Sequence, residues 1–348
     1  IREKTFYPEV EYIFKHSLTQ EVAYDVQLSE RRTQLHAAVA RGLAALHADK
    51  LDEQAALLAH HWEQAGEGDE ALRWHERAAR WIGERDPFEA DRHWRRVRAL
   101  AHQFHESLDA SQARLQSCQS LLKLGPLVGI SGEEARSIFL EGTTLARAQQ
   151  DLPALALLEI GYAQIRVEHN EIQDALDHAQ EALRLAGRLD DLWLRVRASL
   201  QVMSALLWLG RFHDGWAVCQ RTLELVGEPA ELGRNAFAYL ALLELKEIFM
   251  NFMGRPREGL AIFDRLISVA RELGVEEYHS DFYHEAVSAA SFLGDAERAL
   301  QLAHREVELA ERYGAAFMRI GAQHALAQAK NLNGDWEGAL EAVATMHT

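Results

Sequence analysis

A short sequence pattern recurs five times in the second half of the chain, and its spacing constrains the fold more than any other feature. Each copy consists of a turn residue, four mostly polar residues, and then a small residue followed by an apolar one. A period of about 40 residues is typical of arrays in which each repeat is one helical hairpin. The small residues lie 40, 44, 40 and 40 positions apart, at Ala175, Gly215, Gly259, Ala299 and Ala339.

The chemistry of each copy predicts a helix, a tight turn and a second helix. The turn residue is Asn170 in the first copy and glycine in the other four, the types that close a helix in the left-handed conformation at least cost. Asp295 and Asp335 directly follow the turn and are suited to cap the second helix. Because one hairpin cannot bury its apolar face alone, neighbouring hairpins must stack. We therefore predict an all-α, right-handed superhelix of hairpins with a concave inner wall.

These hairpins resemble tetratricopeptide (TPR) repeats, in a longer version with a period of about 40 residues. The resemblance begins at Ser107 and implies a TPR-like array over residues 106–348. The sequence contains almost no alternation of apolar and polar residues, which is the pattern of a half-buried strand. The single strand candidate is Val10–Lys15.

The charge and cysteine content limit the expected partners. With 53 acidic and 37 basic residues, the net charge is −16, which repels the phosphate backbone of nucleic acids.

No apolar run approaches the length of about 18 residues that a membrane span needs. Two cysteines fit a reducing compartment. We expect a cytoplasmic protein without nucleic-acid or membrane partners and, because no signal peptide follows Ile1, a fragment of a larger protein.

A second motif, Tyr-x-Phe-x-His-x-Leu-x-x-Glu-x-x-Tyr, runs from Tyr12 to Tyr24 and continues through residues 29–36, 57–62 and 68–72. This run resembles the stretch that links the ATPase to the TPR array in signal-transducing (STAND-type) AAA ATPases. It is especially similar to bacterial proteins with an N-terminal class III adenylate/guanylate cyclase domain. The resemblance implies an upstream ATPase and cyclase, and assigns residues 1–105 to a helical linker that follows a winged-helix segment and includes the first degenerate hairpins.

The functional hypothesis is a non-catalytic regulatory region that senses a ligand or protein and controls the upstream ATPase and cyclase. The alternative is the effector-sensing TPR region of a LuxR-like ATP-dependent transcription activator, which shares the ATPase-plus-TPR layout. A helix-turn-helix downstream of the chain would favour the alternative, and a cyclase upstream would favour the first hypothesis.

Residues that could carry chemistry are present but lack the spacing of known sites. None of the lysines follows a glycine, so the chain has no Walker A phosphate-binding loop. The histidines are densest at His60–His61, His102–His105 and His279–His284, without the ligand spacing of a zinc site. Cys219 is flanked by apolar residues and is interpreted as a buried, inert thiol. We predict no catalytic residue, no metal site and no cofactor.

Helical spacing of three and four residues also predicts core residues in the first hundred positions. His16 is expected to be a hydrogen-bonded packing residue. One core set is Phe14, Leu18, Val22 and Tyr24. The other core set is Leu35, Val39, Leu43 and Leu46.

Polar side chains on the first helix of each hairpin are the candidates for a binding surface. The TPR resemblance implies that positions two to three turns before the closing glycine face the inner wall. Polar groups there can contact a peptide, a partner helix or a small-molecule effector, and the alternative is ordinary solvation of a groove. The candidates are Arg197, Ser204, Trp208, Glu244, Asn251, Asp281, His284, Ser288, Ser291, His324, Gln328 and Asn331.

The last predicted hairpin lacks a polar capping helix, so we expect the array to continue beyond Thr348. Otherwise exposed Leu340 and Val343 would pair two copies in a homodimer.

Overall fold

In a computed structural model, the chain forms two compact units, residues 1–149 and 150–348. The structure describes residues 2–5, 11–13, 17–104, 108–227, 236–275, 282–313 and 316–346. The predicted boundary between residues 105 and 106 falls outside the described residues and stays a prediction.

The described residues of the first unit are helical apart from one antiparallel pair of short strands, in which Arg2 lies opposite Ile13. The second strand falls inside the predicted strand candidate. Each helix from α2 to α6 packs on the next one in the chain. The elements are β1 (Arg2–Thr5), β2 (Glu11–Ile13), α1 (Ser17–Asp25), α2 (Ser29–Leu46), α3 (Ala55–Gln64), α4 (Gly68–Ile82), a 3₁₀ turn (Gly83–Arg85), α5 (Pro87–Ala101), a second 3₁₀ turn (His102–Phe104), α6 (Leu108–Val128) and α7 (Gly132–Ala148).

The prediction of core residues in α1 and α2 is wrong for most positions. Leu18 is 68% exposed and Leu46 is 59% exposed, whereas the buried residues of α2 are Ala37 and Ala40. The face of α2 that carries these alanines packs against α3, because small side chains let two helices approach closely. The other exposed members of the two sets are Val22, Tyr24, Leu35 and Val39. Leu43 is half-buried, and Phe14 and His16 lie outside the described residues.

In the part of the second unit that the structure describes, the helices form five successive hairpins. The first helices are α8 (Leu152–Glu168), α10 (Leu192–Trp208), α12 (Ala236–Phe252), α14 (Phe282–Phe292) and α16 (Ala316–Leu332). The second helices are α9 (Ile172–Ala186), α11 (Phe212–Val226), α13 (Pro256–Glu272), α15 (Ala296–Tyr313) and α17 (Trp336–Thr345). The all-α prediction of stacked hairpins is confirmed.

All five predicted turn residues adopt the left-handed conformation, with φ from +58° at Asn170 to +78° at Gly334. The predicted caps are confirmed as well. The Asp335 carboxylate accepts a hydrogen bond from the backbone N–H of Gly338 at 3.0 Å, and that of Asp295 accepts one from Arg298 N–H at 3.1 Å. The hairpin turns are therefore specified locally by residue type.

The small residue after each turn is required by close helix packing. Ala175 and Ala299 are buried, and a Cβ atom at Gly215 would overlap the Phe249 ring of α12. A Cβ atom at Gly259 would overlap the side-chain amide of Asn251. One apolar core runs through the hairpins of this unit. None of the described helices combines the length and apolar character that crossing a bilayer requires.

Candidate functional site

The first helices of the hairpins form one layer, in which α8, α10, α12, α14 and α16 each contact the next. We call this the first-helix layer. A 40-residue step along the sequence leads from one helix of the layer to the equivalent position of its neighbour, except between α10 and α12, where the step is 44. Polar residues at equivalent positions can therefore lie side by side.

Four predicted residues meet across α14 and α16. The rings of His284 and His324 stack with centroids 5.3 Å apart and planes inclined by 22°. One turn further, the Ser288 hydroxyl donates a hydrogen bond to Oε1 of Gln328 at 3.4 Å. Both pairs are separated by the repeat period. We call these four residues the histidine wall.

A buried carboxylate on α15 pairs with one residue of the histidine wall. Nδ1 of His284 lies 3.4 Å from Oε1 of Glu306 on α15, whose side chain is 2% exposed. The hydrogen bond to Glu306 raises the pKa of His284, against the opposing effect of burial. The imidazole ring therefore stays protonated to a higher pH than that of a solvated histidine, as one member of an ion pair with Glu306.

Asn251 is enclosed by the fold and not presented to solvent. It is 5% exposed, packs on Gly259 of α13, and donates a hydrogen bond from Nδ2 to the carbonyl oxygen of Glu285 at 3.2 Å. Glu285 lies on α14, so Asn251 connects two neighbouring first helices. The Asn251 side chain therefore helps to hold α12 against α13 and α14.

The other predicted residues are scattered along the layer. Arg197 and Glu244 are half-buried on α10 and α12. The Ser291 hydroxyl donates a hydrogen bond to the carbonyl oxygen of Val287, four residues earlier in the same helix, at 2.8 Å. Asn331 is exposed in the last turn of α16, and Asp281 lies outside the described residues.

Ser204 and Trp208 line a pocket of about 400 Å³ between α8 and α10. The sequence interpretation missed its opposite side, which includes Gln164 and Glu168 of α8. These two residues lie 40 positions before Ser204 and Trp208. Gln164 and Glu168 precede Asn170 by six and two positions, as Ser204 and Trp208 precede Gly210.

Two histidines of the first unit that lie outside the dense groups of the sequence, His75 and His93, are used in packing. His75 and His93 are hydrogen-bonded at 2.7 Å between their Nδ1 atoms, and Nε2 of His75 donates to Glu63 at 2.8 Å. Burial lowers the pKa of both histidines. Among the described residues, no group of three or more histidine, cysteine, aspartate or glutamate side chains is arranged to hold a metal ion.

Neither a protein-family model nor a curated protein matches the chain. Solved structures do match. A Rap protein complexed with Competence and Sporulation Factor is 13% identical, with a TM-score of 0.59 over 95% of this chain and 90% of that one. The fold is shared. At this identity the similarity shows the helical-repeat fold alone.

Two further structures match at lower TM-scores. A STAND protein with a tetratricopeptide repeat sensor from Pyrococcus horikoshii is 15% identical, with a TM-score of 0.49 over 97% of this chain and 52% of that one. BtubC from P. vanneervenii is 15% identical, with a TM-score of 0.48 over 68% of this chain and 90% of that one.

Proposed function

We propose that the chain is a non-catalytic interaction region that binds a protein or peptide partner on the first-helix layer. The observation that carries this proposal is the histidine wall, where His284 meets His324 and Ser288 meets Gln328 across two helices. Side chains in this arrangement present a ring stack and a polar pair on adjacent helices, which suits a partner that spans both.

The geometry of the wall favours a hydrogen-bond-accepting group at the histidine pair. The hydrogen bond to Glu306 raises the pKa of His284 and fixes the orientation of its ring, on which the ring of His324 stacks. A partner group that accepts hydrogen bonds would therefore meet the exposed imidazole of His324, whose ring stacks on that of His284.

The proposal extends to a cytoplasmic signalling protein in which partner binding controls an upstream ATPase and cyclase. Support comes from the resemblance of residues 12–72 to the linker of such proteins. The LuxR-like alternative stays a prediction. Replacing His324 by alanine in the complete protein is expected to change the response of cyclase output to the partner and to leave the basal output unchanged.

A direct binding test uses peptides selected from a random displayed library against the whole chain. We expect a selected peptide to bind the His324→Ala variant about fivefold or more weakly, as measured by calorimetry, because central contacts dominate binding energy. The matched control is His304→Ala, which removes an exposed histidine from second helix α15. Equal losses for both variants, or selection of no peptide, would contradict the proposal.

A further inference from the structure

The pocket between α8 and α10 gathers polar side chains that make no hydrogen bond among the described residues. They are the carboxylate of Glu168, the amides of Gln164 and Gln201, and the hydroxyl of Ser204. Beside them stands the indole of Trp208, which is 67% exposed. The pocket therefore combines an open aromatic face with a carboxylate and several oxygen acceptors.

The lining contains no cationic side chain. Arg166, the arginine of α8 closest in sequence to Glu168, is held away by Glu171 and Asp174 and lies over the Tyr162 ring at 5.5 Å. An anionic ligand would meet Glu168 without any compensating charge. A cation would meet the carboxylate, amide and hydroxyl oxygens, and the face of an indole, the aromatic ring that attracts cations most strongly.

Three of the other seven tryptophans pair with cations of their own chain. In each of three cases a lysine or arginine lies over the indole within 5.4 Å of the centroid. Trp208 has no such partner among the described residues. The pairs are Arg77 with Trp74, Arg85 with Trp81, and Lys246 with Trp216.

The repeat register explains why this pocket is open. In the next hairpin along the chain, Phe252 is the equivalent of Trp208, and it stacks on Phe212 with centroids 5.1 Å apart. The equivalent of Phe212, two residues after the turn, is Ile172, which lines the pocket. An isoleucine is smaller than a phenylalanine and offers no ring to stack on the indole of Trp208, which is 67% exposed.

We propose that this pocket binds a guanidinium or ammonium group, with Glu168 as the counter-charge and Trp208 as the aromatic face. The natural source is a lysine or arginine side chain of the partner. In that sense the inference rests on the proposed function and adds a basic anchor residue to the description of the partner. The pocket lies on α8 and α10, so its chemistry can be tested apart from the histidine wall.

The test uses the whole chain labelled with 5-fluorotryptophan, and ¹⁹F resonances are followed during titration. The Trp208 resonance is assigned with the variant Trp208→Phe. The probe is the capped tripeptide acetyl-Ala-Arg-Ala-amide, and its neutral counterpart carries citrulline, which keeps the shape of arginine without the charge. We expect the arginine peptide to shift the Trp208 resonance in a saturable way, and the citrulline peptide to leave it unmoved.

Two variants test the assigned roles. Glu168→Gln is expected to lower the affinity for the arginine peptide about threefold, which is within the range measured for exposed ion pairs. Glu224→Gln, at an exposed position of α11, is the matched control and should have no effect. Ile172→Phe is expected to abolish the shift by filling the pocket, while circular dichroism confirms that the variant is folded.

Three results would overturn the inference: an equal shift with the citrulline peptide, no shift of Trp208 at saturating peptide, or unchanged affinity in Glu168→Gln. A titration with spermidine separates the sources of the cation. Tighter binding of the peptide supports a partner side chain, and tighter binding of spermidine supports a free polyamine. His324→Ala should not alter the shift of the Trp208 resonance. The proposed role of the histidine wall and the proposed cation pocket can therefore fail independently, and each failure gives a different result.

Discussion

Glu247 is a carboxylic acid that the fold of the second unit isolates from water. It lies on α12 with 0% exposure, and neither of its carboxylate oxygens has a hydrogen-bond partner among the described residues. Burial raises its pKa well above the ordinary value, and repulsion from Glu285, Glu244 and Asp264 adds to the effect. Folding therefore favours the protonated acid.

The consequence for stability follows from proton linkage. Because the folded state holds the proton more tightly than the unfolded state, stability is fully present below the unfolded pKa of 4.5 and falls as pH rises towards the folded pKa. Within that window each pH unit removes about 1.4 kcal/mol from the free energy of unfolding. The variant Glu247→Gln keeps the shape of the side chain and has no proton to lose.

We expect the stability of Glu247→Gln to exceed that of the wild type by an amount that grows with pH. The difference should be smallest at pH 4.5 and below, where the wild-type acid is protonated in the folded state and at least half protonated in the unfolded state. It should increase by about 1.4 kcal/mol for each pH unit above that value until the folded pKa is reached. Urea denaturation followed by circular dichroism at half-unit steps from pH 4.5 to about pH 8 measures this difference.

The control is Glu224→Gln, which removes an exposed carboxylate from the neighbouring helix α11. Its stability curve should run parallel to that of the wild type. If Glu247→Gln also ran parallel to the wild type, or were less stable at pH 7, the reasoning about an isolated buried acid would be refuted.

Three further predictions concern packing and titration. Acidification should destabilise the first unit, because burial lowers the pKa values of His75 and His93, and the stability that their neutral rings contribute is lost as pH falls below 6.5. The variant His93→Phe should reduce this loss, measured as the dependence of the free energy of unfolding on pH. Gly259→Ala should cost about 1–3 kcal/mol of stability by overpacking against Asn251, whereas a thermal midpoint equal to that of the wild type would show that α13 can shift freely. The thiol of Cys219, whose burial raises its pKa to about 12, should not react with Ellman's reagent at pH 8 until denaturant is added.

The hairpin array could be predicted from the sequence because its signals are local. Asn170 and Gly334 are residue types that accept a positive φ, and Asp335 has the side chain that caps a helix start. Such preferences act over a few residues and repeat at a fixed interval. The period then dictates that equivalent positions of neighbouring hairpins stand next to each other, which is why His284 and His324 could be named together.

Which face of a helix is covered, and by what, was decided by the tertiary structure. The apolar spacing of α2 indicated a leucine stripe, but the fold buries Ala37 and Ala40 instead. Asn251 looked like a surface residue and is enclosed because Gly259 leaves space for it. The open indole of Trp208 depends on Ile172, which lies in another hairpin. Helical spacing describes one helix at a time, whereas burial and cavities depend on the volumes of side chains that meet across separate helices.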